Sequence, residues 1–154
     1  MKKKVLIAAI IVAVLLLGAC GHWLYWEREF SLSTQLPDGP CHSLSLIGTD
    51  FNEAEGNVDH VSYQVNEEVT QTILTALKEA NVSRRPSSEE LVGEIFWITL
   101  CMGNDHDMFG IYLSEGGQLD ITGEGDWHYY EGCEELYQQI RTHAEKLPIN
   151  EIND

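Results

Sequence analysis

Two segments after residue 42 alternate apolar and polar residues with a period of two. The first covers residues 43–47 and the second covers residues 60–65. Alternation of this kind is typical of strands that bury only one face. A short acidic stretch that contains Gly56 lies between them, so the two segments are predicted to pair as antiparallel strands.

After residue 65 the spacing of apolar residues lengthens to that of a helix. Val69, Ile73 and Leu77 recur at every fourth position, which places them on one side of a helix. Asn66 is a residue type that caps helix N-termini well. A helix is therefore predicted over residues 66–80.

The second half of the chain predicts three more strands and another helix. Residues 94–102 are apolar on both faces, as in a central strand. Residues 108–113 and 118–122 are separated by a glycine turn typical of hairpins. A last helix is predicted from about residue 133 to Lys146. The order of these elements predicts an α+β domain with a mainly antiparallel sheet of about five strands and two helices.

The first twenty residues follow a different pattern. Three lysines, at positions 2–4, precede an uninterrupted apolar run over residues 5–17. Lysines stay on the cytoplasmic side of such a segment, so the rest of the chain is predicted to lie outside the cytoplasm, anchored to the cell membrane. Two kinds of anchor fit: a cleaved lipoprotein signal peptide over residues 1–19, or a transmembrane anchor over residues 5–26 with tryptophans at its outer end.

The sequence Leu17-Gly18-Ala19-Cys20 resembles the lipobox of bacterial lipoproteins. The resemblance implies that the thiol of Cys20 carries a diacylglycerol and that the peptide is cut just before this residue. Residues 20–42 are then predicted to link the membrane to a globular domain over residues 43–148, followed by a tail over residues 149–154.

Charge narrows the range of partners. The chain carries a formal net charge of −16, and removal of three lysines with a signal peptide would bring it to −19. Such a protein repels nucleic acids and anionic lipids, so a nucleic-acid partner is not expected. Hydrophobic residues make up 44% of the chain, enough to build a core. Arg84 and Arg85 are predicted to be solvated charges that balance the acidic surface.

Acidic residues and histidines form a candidate metal site. A turn holds Asp105, His106 and Asp107, and a second stretch contributes Glu124, Asp126 and His128. In an extended chain the last three would project from one face. Carboxylates with imidazoles suit zinc or manganese, whereas carboxylates alone suit calcium. The spacing matches no established metal signature, so no cofactor is expected unless it is a divalent metal at this cluster.

Trp127, Tyr129 and Tyr130 form a candidate binding group. Exposed aromatic side chains stack on sugars or anchor protein partners. Large aromatic residues more often fill a core, and the core interpretation is favoured here.

Catalytic signatures are missing from the sequence. It contains no nucleophile elbow, zinc-protease helix, C-x-x-C motif or phosphate-binding loop. Cys41, Cys101 and Cys133 allow one disulfide, and their spacing does not select a pair. Cys101 is interpreted as a small buried apolar residue, and a bridge between Cys41 and Cys133 is the alternative. These observations favour a non-catalytic module that binds an envelope protein or a small ligand at the cell envelope. A metal-dependent envelope protein and a subunit of a membrane complex remain the alternatives.

Residues 43–140 resemble, in their patterning, small surface proteins of Gram-positive bacteria. The likeness lies in the alternating strand before the Asn66-capped helix, the hairpin at Ile111-Tyr112-Leu113 and the aromatic segment before the last helix. It implies an anchored extracytoplasmic α+β domain and brings no catalytic residues with it.

Overall fold

The computed structural model of this chain describes residues 2–26, 28–52, 57–85, 91, 93–103, 107–123 and 126–150. Within these ranges there are nine strands and three α-helices. The strands are β1 Phe30–Ser31, β2 Cys41–Asn52, β3 Asn57–Tyr63, β4 Asn81–Arg84, β5 Ile95–Met102, β6 Asp107–Ser114, β7 Leu119–Gly123, β8 Asp126–Glu131 and β9 Ile149–Asn150. The helices are α1 Lys2–Trp26, α2 Glu67–Glu79 and α3 Glu134–Ala144, and a short 3-10 helix covers Leu32–Thr34.

All nine strands belong to one antiparallel sheet in the order β1-β4-β8-β7-β6-β5-β2-β3-β9. The prediction of about five strands with two helices is therefore wrong, although helices beside an antiparallel sheet do make an α+β fold. β1 and β9 have two residues each, too few to show a period. β4 carries asparagine, serine and arginine, which are typical of loops, yet its Val82 is buried in the core.

Helix α2 begins where its sequence predicts. The side chain of Asn66 accepts a hydrogen bond from the backbone N–H of Val69 at 2.9 Å. This satisfies one of the amides that a helix N-terminus leaves without a partner, and two glutamates in the first turn complement the helix dipole. The apolar side of α2, including Ile73 and Leu77, is buried.

Helices α2 and α3 cover one face of the sheet, which we call the covered face. Their buried side chains share one core cluster with alternate residues of the central strands, because side chains of a strand project to opposite faces in turn. The strand residues in this cluster include Leu44, Leu46, Phe96, Ile98, Leu100, Ile111, Leu113, Leu119 and Ile121.

The folded domain begins earlier and ends later than the predicted boundaries at residues 43 and 148. Leu32 and Leu36, in the predicted linker, are buried in the core, and the N–H of Leu32 donates a hydrogen bond to the carbonyl of Ala80 at 2.8 Å. At the other end, β9 pairs with β3 within the predicted tail, with Asn150 opposite Ser62.

Helix α1 stands outside this core. Its apolar side chains from Ile10 to Leu17 are exposed, Leu17 by 73%, and the core cluster of the described residues contains no side chain from α1. Within the residues that the structure describes, no helix is long and apolar enough to cross a membrane.

Candidate functional site

The sheet face opposite α2 and α3, which we call the open face, contains partly exposed aromatic and hydroxyl side chains. Directly paired residues of neighbouring strands project to the same face. A buried row of Thr49, Ile95 and Ser114 lies at one end of this face. The register defines three further rows across it. They are Ile47, Trp97, Tyr112, Asp120 and Tyr129 in the first row, Ser45, Thr99, Gly110 and Thr122 in the second, and Ser43, Cys101 and Met108 in the third.

An aromatic pair occupies the middle of the open face. Trp97 of β5 and Tyr112 of β6 are stacked, with ring centroids 5.5 Å apart and ring planes 16° apart. Trp97 is 39% exposed, whereas its neighbours Phe96 and Ile98 are buried on the covered face. Because Trp97 keeps part of its ring accessible to water beside Tyr112, this pair is available to contact a ligand.

Beside this pair lies a buried ion pair. Nη2 of Arg85 donates a hydrogen bond to Oδ1 of Asp120 at 2.5 Å, and both side chains are buried. The guanidinium carbon of Arg85 also lies 5.8 Å from the ring centroid of Tyr129. Burial raises the pKa of Asp120 above its usual range, and the attraction of Arg85 opposes this shift.

Gly110 leaves a shallow depression in the open face next to the aromatic pair. A Cβ atom on Gly110 would lie 2.8 Å from the Cγ2 methyl of Thr122. That distance is a clash with a side chain that shares its row. A larger residue at this position would force Thr122 to shift, and glycine leaves a shallow strip of small residues alongside Trp97 and Tyr112.

The two arginines differ from the solvated charges that the sequence predicts. Arg85 is buried in the ion pair with Asp120. The guanidinium carbon of Arg84 lies 4.7 Å from the ring centroid of Tyr25 and 4.8 Å from that of Phe30. Its Nη1 also donates a long hydrogen bond of 3.4 Å to the Tyr25 carbonyl. Arg84 therefore connects the end of α1 to the edge of the sheet.

The predicted metal ligands are only partly within the described residues. Asp105, His106 and Glu124 lie outside them, and Asp126 is placed by its backbone alone, at the start of β8. Asp107 and His128 are both exposed. His128 pairs with Ile121, which pairs with Ile111.

Asp107 and His128 do not meet. Asp107 lies four residues along β6 from the row that contains His128, or roughly 13 Å along the strand. That separation is too great for one ion. In the described part of the chain, no three His, Cys, Asp or Glu side chains lie close enough together to bind one metal ion.

The predicted aromatic group does not act as one surface. Tyr129 is half-buried on the open face. Tyr130 projects to the covered face, where its hydroxyl donates to Oε1 of Gln35 at 2.9 Å and its ring packs edge-on against Phe30. The side chain of Trp127 lies outside the described part of the chain. Strand alternation therefore separates neighbours that the sequence presents together.

The cysteines occupy four different environments. Cys20 is exposed on α1, Cys41 and Cys101 are half-buried, and Cys133 is buried; no disulfide joins any of the four. Burial, with a smaller contribution from Glu134, raises the pKa of Cys133 to about 12. Cys41 pairs beside Met102 at one end of β5, whereas the N–H of Cys133 bonds to Gly117 beyond the other end of β6. A bridge between Cys41 and Cys133 does not fit this arrangement.

A cavity of about 430 Å³ lies between α2, α3 and the β4 edge. Four glutamates line it, Glu29, Glu79, Glu131 and Glu135, together with small and polar side chains. These carboxylates attract any cation, but the cavity provides few directional contacts that would select one ligand. The open face, by contrast, combines flat aromatic rings with hydroxyl groups, and it is the better candidate for specific recognition.

Sequence reasoning missed Trp97 and Tyr112 because the apolar run around Trp97 suggests a strand buried on both faces. A signal was present: Thr99 and Ser45 alternate with the large apolar residues and mark a second, polar face. Comparisons with protein-family models, with curated proteins and with solved structures found no match to this chain.

Proposed function

We propose that this protein is a lipid-anchored module on the outer side of the cell membrane, and that it binds its ligand without catalysis on the open face. The observation that carries the binding half of the proposal is the partly exposed Trp97, stacked on Tyr112 in the middle of the sheet.

The anchoring half rests on α1. Side chains at consecutive positions 14–17 are all apolar and exposed, so the helix is apolar on every side. A helix of this kind is stable when lipid or protein surrounds it, which is the condition of a signal peptide that enters the bilayer before it is cut ahead of Cys20. Cys20, the candidate site of lipid attachment, is also exposed, as an acylated thiol must be.

The contact of Arg84 with Tyr25 supports a domain that stays close to the membrane. Cation–π contacts of this kind contribute about 0.5–1 kcal/mol where water has access. Arg84 contacts both Tyr25 at the end of α1 and Phe30 of β1. The domain would therefore be held near the bilayer.

Intact mass tests the anchor. We expect the protein extracted from membranes of producing cells to begin at Cys20 and to carry the added mass of a diacylglycerol. In a Cys20→Ala variant this species should disappear. A full-length polypeptide without lipid, in either the membrane or the cytosol, would contradict the lipoprotein proposal.

Photo-crosslinking in intact cells tests the binding surface. A benzoylphenylalanine placed at position 108, where Met108 is 64% exposed on the open face, should form adducts with the ligand. The same group at position 138, where Gln138 is exposed on α3, serves as the matched control. We expect adducts from position 108 that are lost when Trp97→Ala is added. Equal adducts from both positions, or none from position 108, would contradict the proposal.

A further inference from the structure

The geometry points to a neutral carbohydrate as the ligand of the open face, with sugar rings stacked on Trp97 and Tyr112. This inference rests on the proposed binding function and names the chemical class of its ligand.

The first support is the shape and chemistry of the aromatic pair. The rings of Trp97 and Tyr112 are stacked on each other, with planes 16° apart, so the inner face of each ring is turned to its neighbour and its outer face is the one that a ligand would contact. The C–H face of a pyranose is flat and weakly positive, and the face of an aromatic ring is negative, so the two attract each other when stacked. Partial exposure of Trp97 leaves part of its surface open to such a ring.

The second support is the distribution of hydroxyl groups. Ser43 and Ser45 are exposed and Thr99 and Thr122 are half-buried on the same face. Each hydroxyl both donates and accepts hydrogen bonds, as the hydroxyls of a sugar do. Because Gly110 has no side chain, the surface between Thr99 and Thr122 forms a shallow depression. A sugar stacked on the rings would therefore find polar partners at its edge.

The third support is charge. Among the described side chains of the three rows, Asp120 is the only charged one, and its charge is matched by Arg85 at 2.5 Å. The open face is thus close to neutral in a protein of net charge −16. A charged ligand would gain little on this face, and nucleic acids, acidic glycans and a second copy of this chain would also be repelled by the protein as a whole.

The extent of the face sets the size of the ligand. The row from Ile47 through Trp97 to Tyr112 spans two strand spacings, or roughly 10 Å. The next residue of the row, Asp120, is buried, so the accessible part of the row ends at Tyr112. This length accommodates about two sugar units in line. An oligosaccharide should therefore bind more tightly than the monosaccharide from which it is built.

Isothermal titration of the full-length protein in phosphatidylcholine nanodiscs, which contain no sugar headgroups, tests the inference. The probes are chitohexaose, cellohexaose and maltohexaose, with oligogalacturonate as an acidic control. We expect at least one neutral hexasaccharide to bind. Trp97→Ala should weaken that binding by at least about tenfold, because stacking on one aromatic ring supplies a major part of such an affinity. Trp23→Ala, which removes an exposed tryptophan of α1, should leave the affinity unchanged, and Trp97→Phe should retain part of it.

Failure of all three neutral probes at millimolar concentration would overturn the carbohydrate assignment, and so would equal binding to the wild type and to Trp97→Ala. Tighter binding of oligogalacturonate would overturn it as well. If the probes fail while crosslinks from position 108 still depend on Trp97, the binding function stands and its ligand belongs to another chemical class. If both fail, the proposed function fails too.

Discussion

The two faces of the sheet differ although the same strands build both. On the covered face, Phe96, Ile98 and Leu100 of β5 are buried beneath α2 and α3. On the open face, the alternate residues of the same strand, Trp97 and Thr99, remain exposed or half-buried. One strand therefore supplies both the core and the candidate binding surface, and adjacent positions have opposite roles.

The difference shows how this fold separates stability from recognition. The covered face gains its free energy from apolar area removed from water. The open face retains an aromatic pair in contact with water, next to the ion pair of Arg85 with Asp120. Substitutions on the two faces should consequently have separable effects on unfolding and on binding.

The largest effect is expected from adjacent substitutions in β5. Phe96→Ala removes a buried ring that packs against Tyr63 and Tyr137, and it should lower the free energy of unfolding by about 3–5 kcal/mol. Trp97→Ala, one residue along, should lower it by only about 1 kcal/mol. Urea unfolding measures both. Equal losses would mean that the two faces are not distinct.

The buried ion pair should have the next largest effect. Asp120→Ala leaves the guanidinium of Arg85 buried without its carboxylate, and the loss of one partner of a buried pair costs about 3 kcal/mol. The matched control is Asp107→Ala, because Asp107 is an exposed carboxylate on the next strand. Its effect on thermal unfolding should be negligible. An Asp120→Ala variant as stable as wild type would show that the pair contributes little.

A smaller effect is expected at the start of α2. Asn66→Ala removes the cap on the N–H of Val69 and should lower the free energy of unfolding by about 1 kcal/mol. Asn66→Ser, which keeps a capping oxygen, should restore most of this loss. Because α2 covers only the opposite face, the Asn66→Ala variant should bind the oligosaccharide and form crosslinks from position 108 as the wild type does. A loss of capture in the Ala variant would connect the two faces.

The smallest effect is chemical and leaves stability at neutral pH untouched. At pH 8, iodoacetamide should alkylate Cys101, half-buried on the open face, at least about tenfold faster than the buried Cys133. In urea the two rates should converge, as peptide mass analysis would show. Comparable rates in the folded protein would contradict the burial of Cys133.

The same thiol gives the folded protein an alkaline limit. The pKa of Cys133 is raised from 9.0 to about 12, so between these values the unfolded chain releases a proton that the folded chain holds. The contribution of this thiol to the free energy of unfolding should therefore be complete below pH 9 and should be lost as the pH rises toward 12. Cys133→Ala should show a shallower decline between pH 8 and 10.5.

The sequence by itself determined the elements with enough residues to show a period. Asn66, Val69, Ile73 and Leu77 locate α2 to within a residue or two of its observed start and end, because the cap and the apolar side are both local properties. Alternation likewise indicates β2 and β3, an apolar run indicates β5, and the glycine turn indicates the hairpin of β6 and β7. The acidic charge and the apolar N-terminal segment are likewise properties of the chain alone.

Tertiary structure decided the rest. β1, β4 and β9 are strands because partners are available at the sheet edges, and two to four residues carry no period of their own. The alternation of Thr99 with large apolar residues marks the side of β5 that carries Trp97 as the more polar one, but the helices that leave this side uncovered are positioned only by tertiary packing. The pairing of Arg85 with Asp120, 35 residues away in the chain, exists for the same reason. Contacts between distant segments are created only by folding.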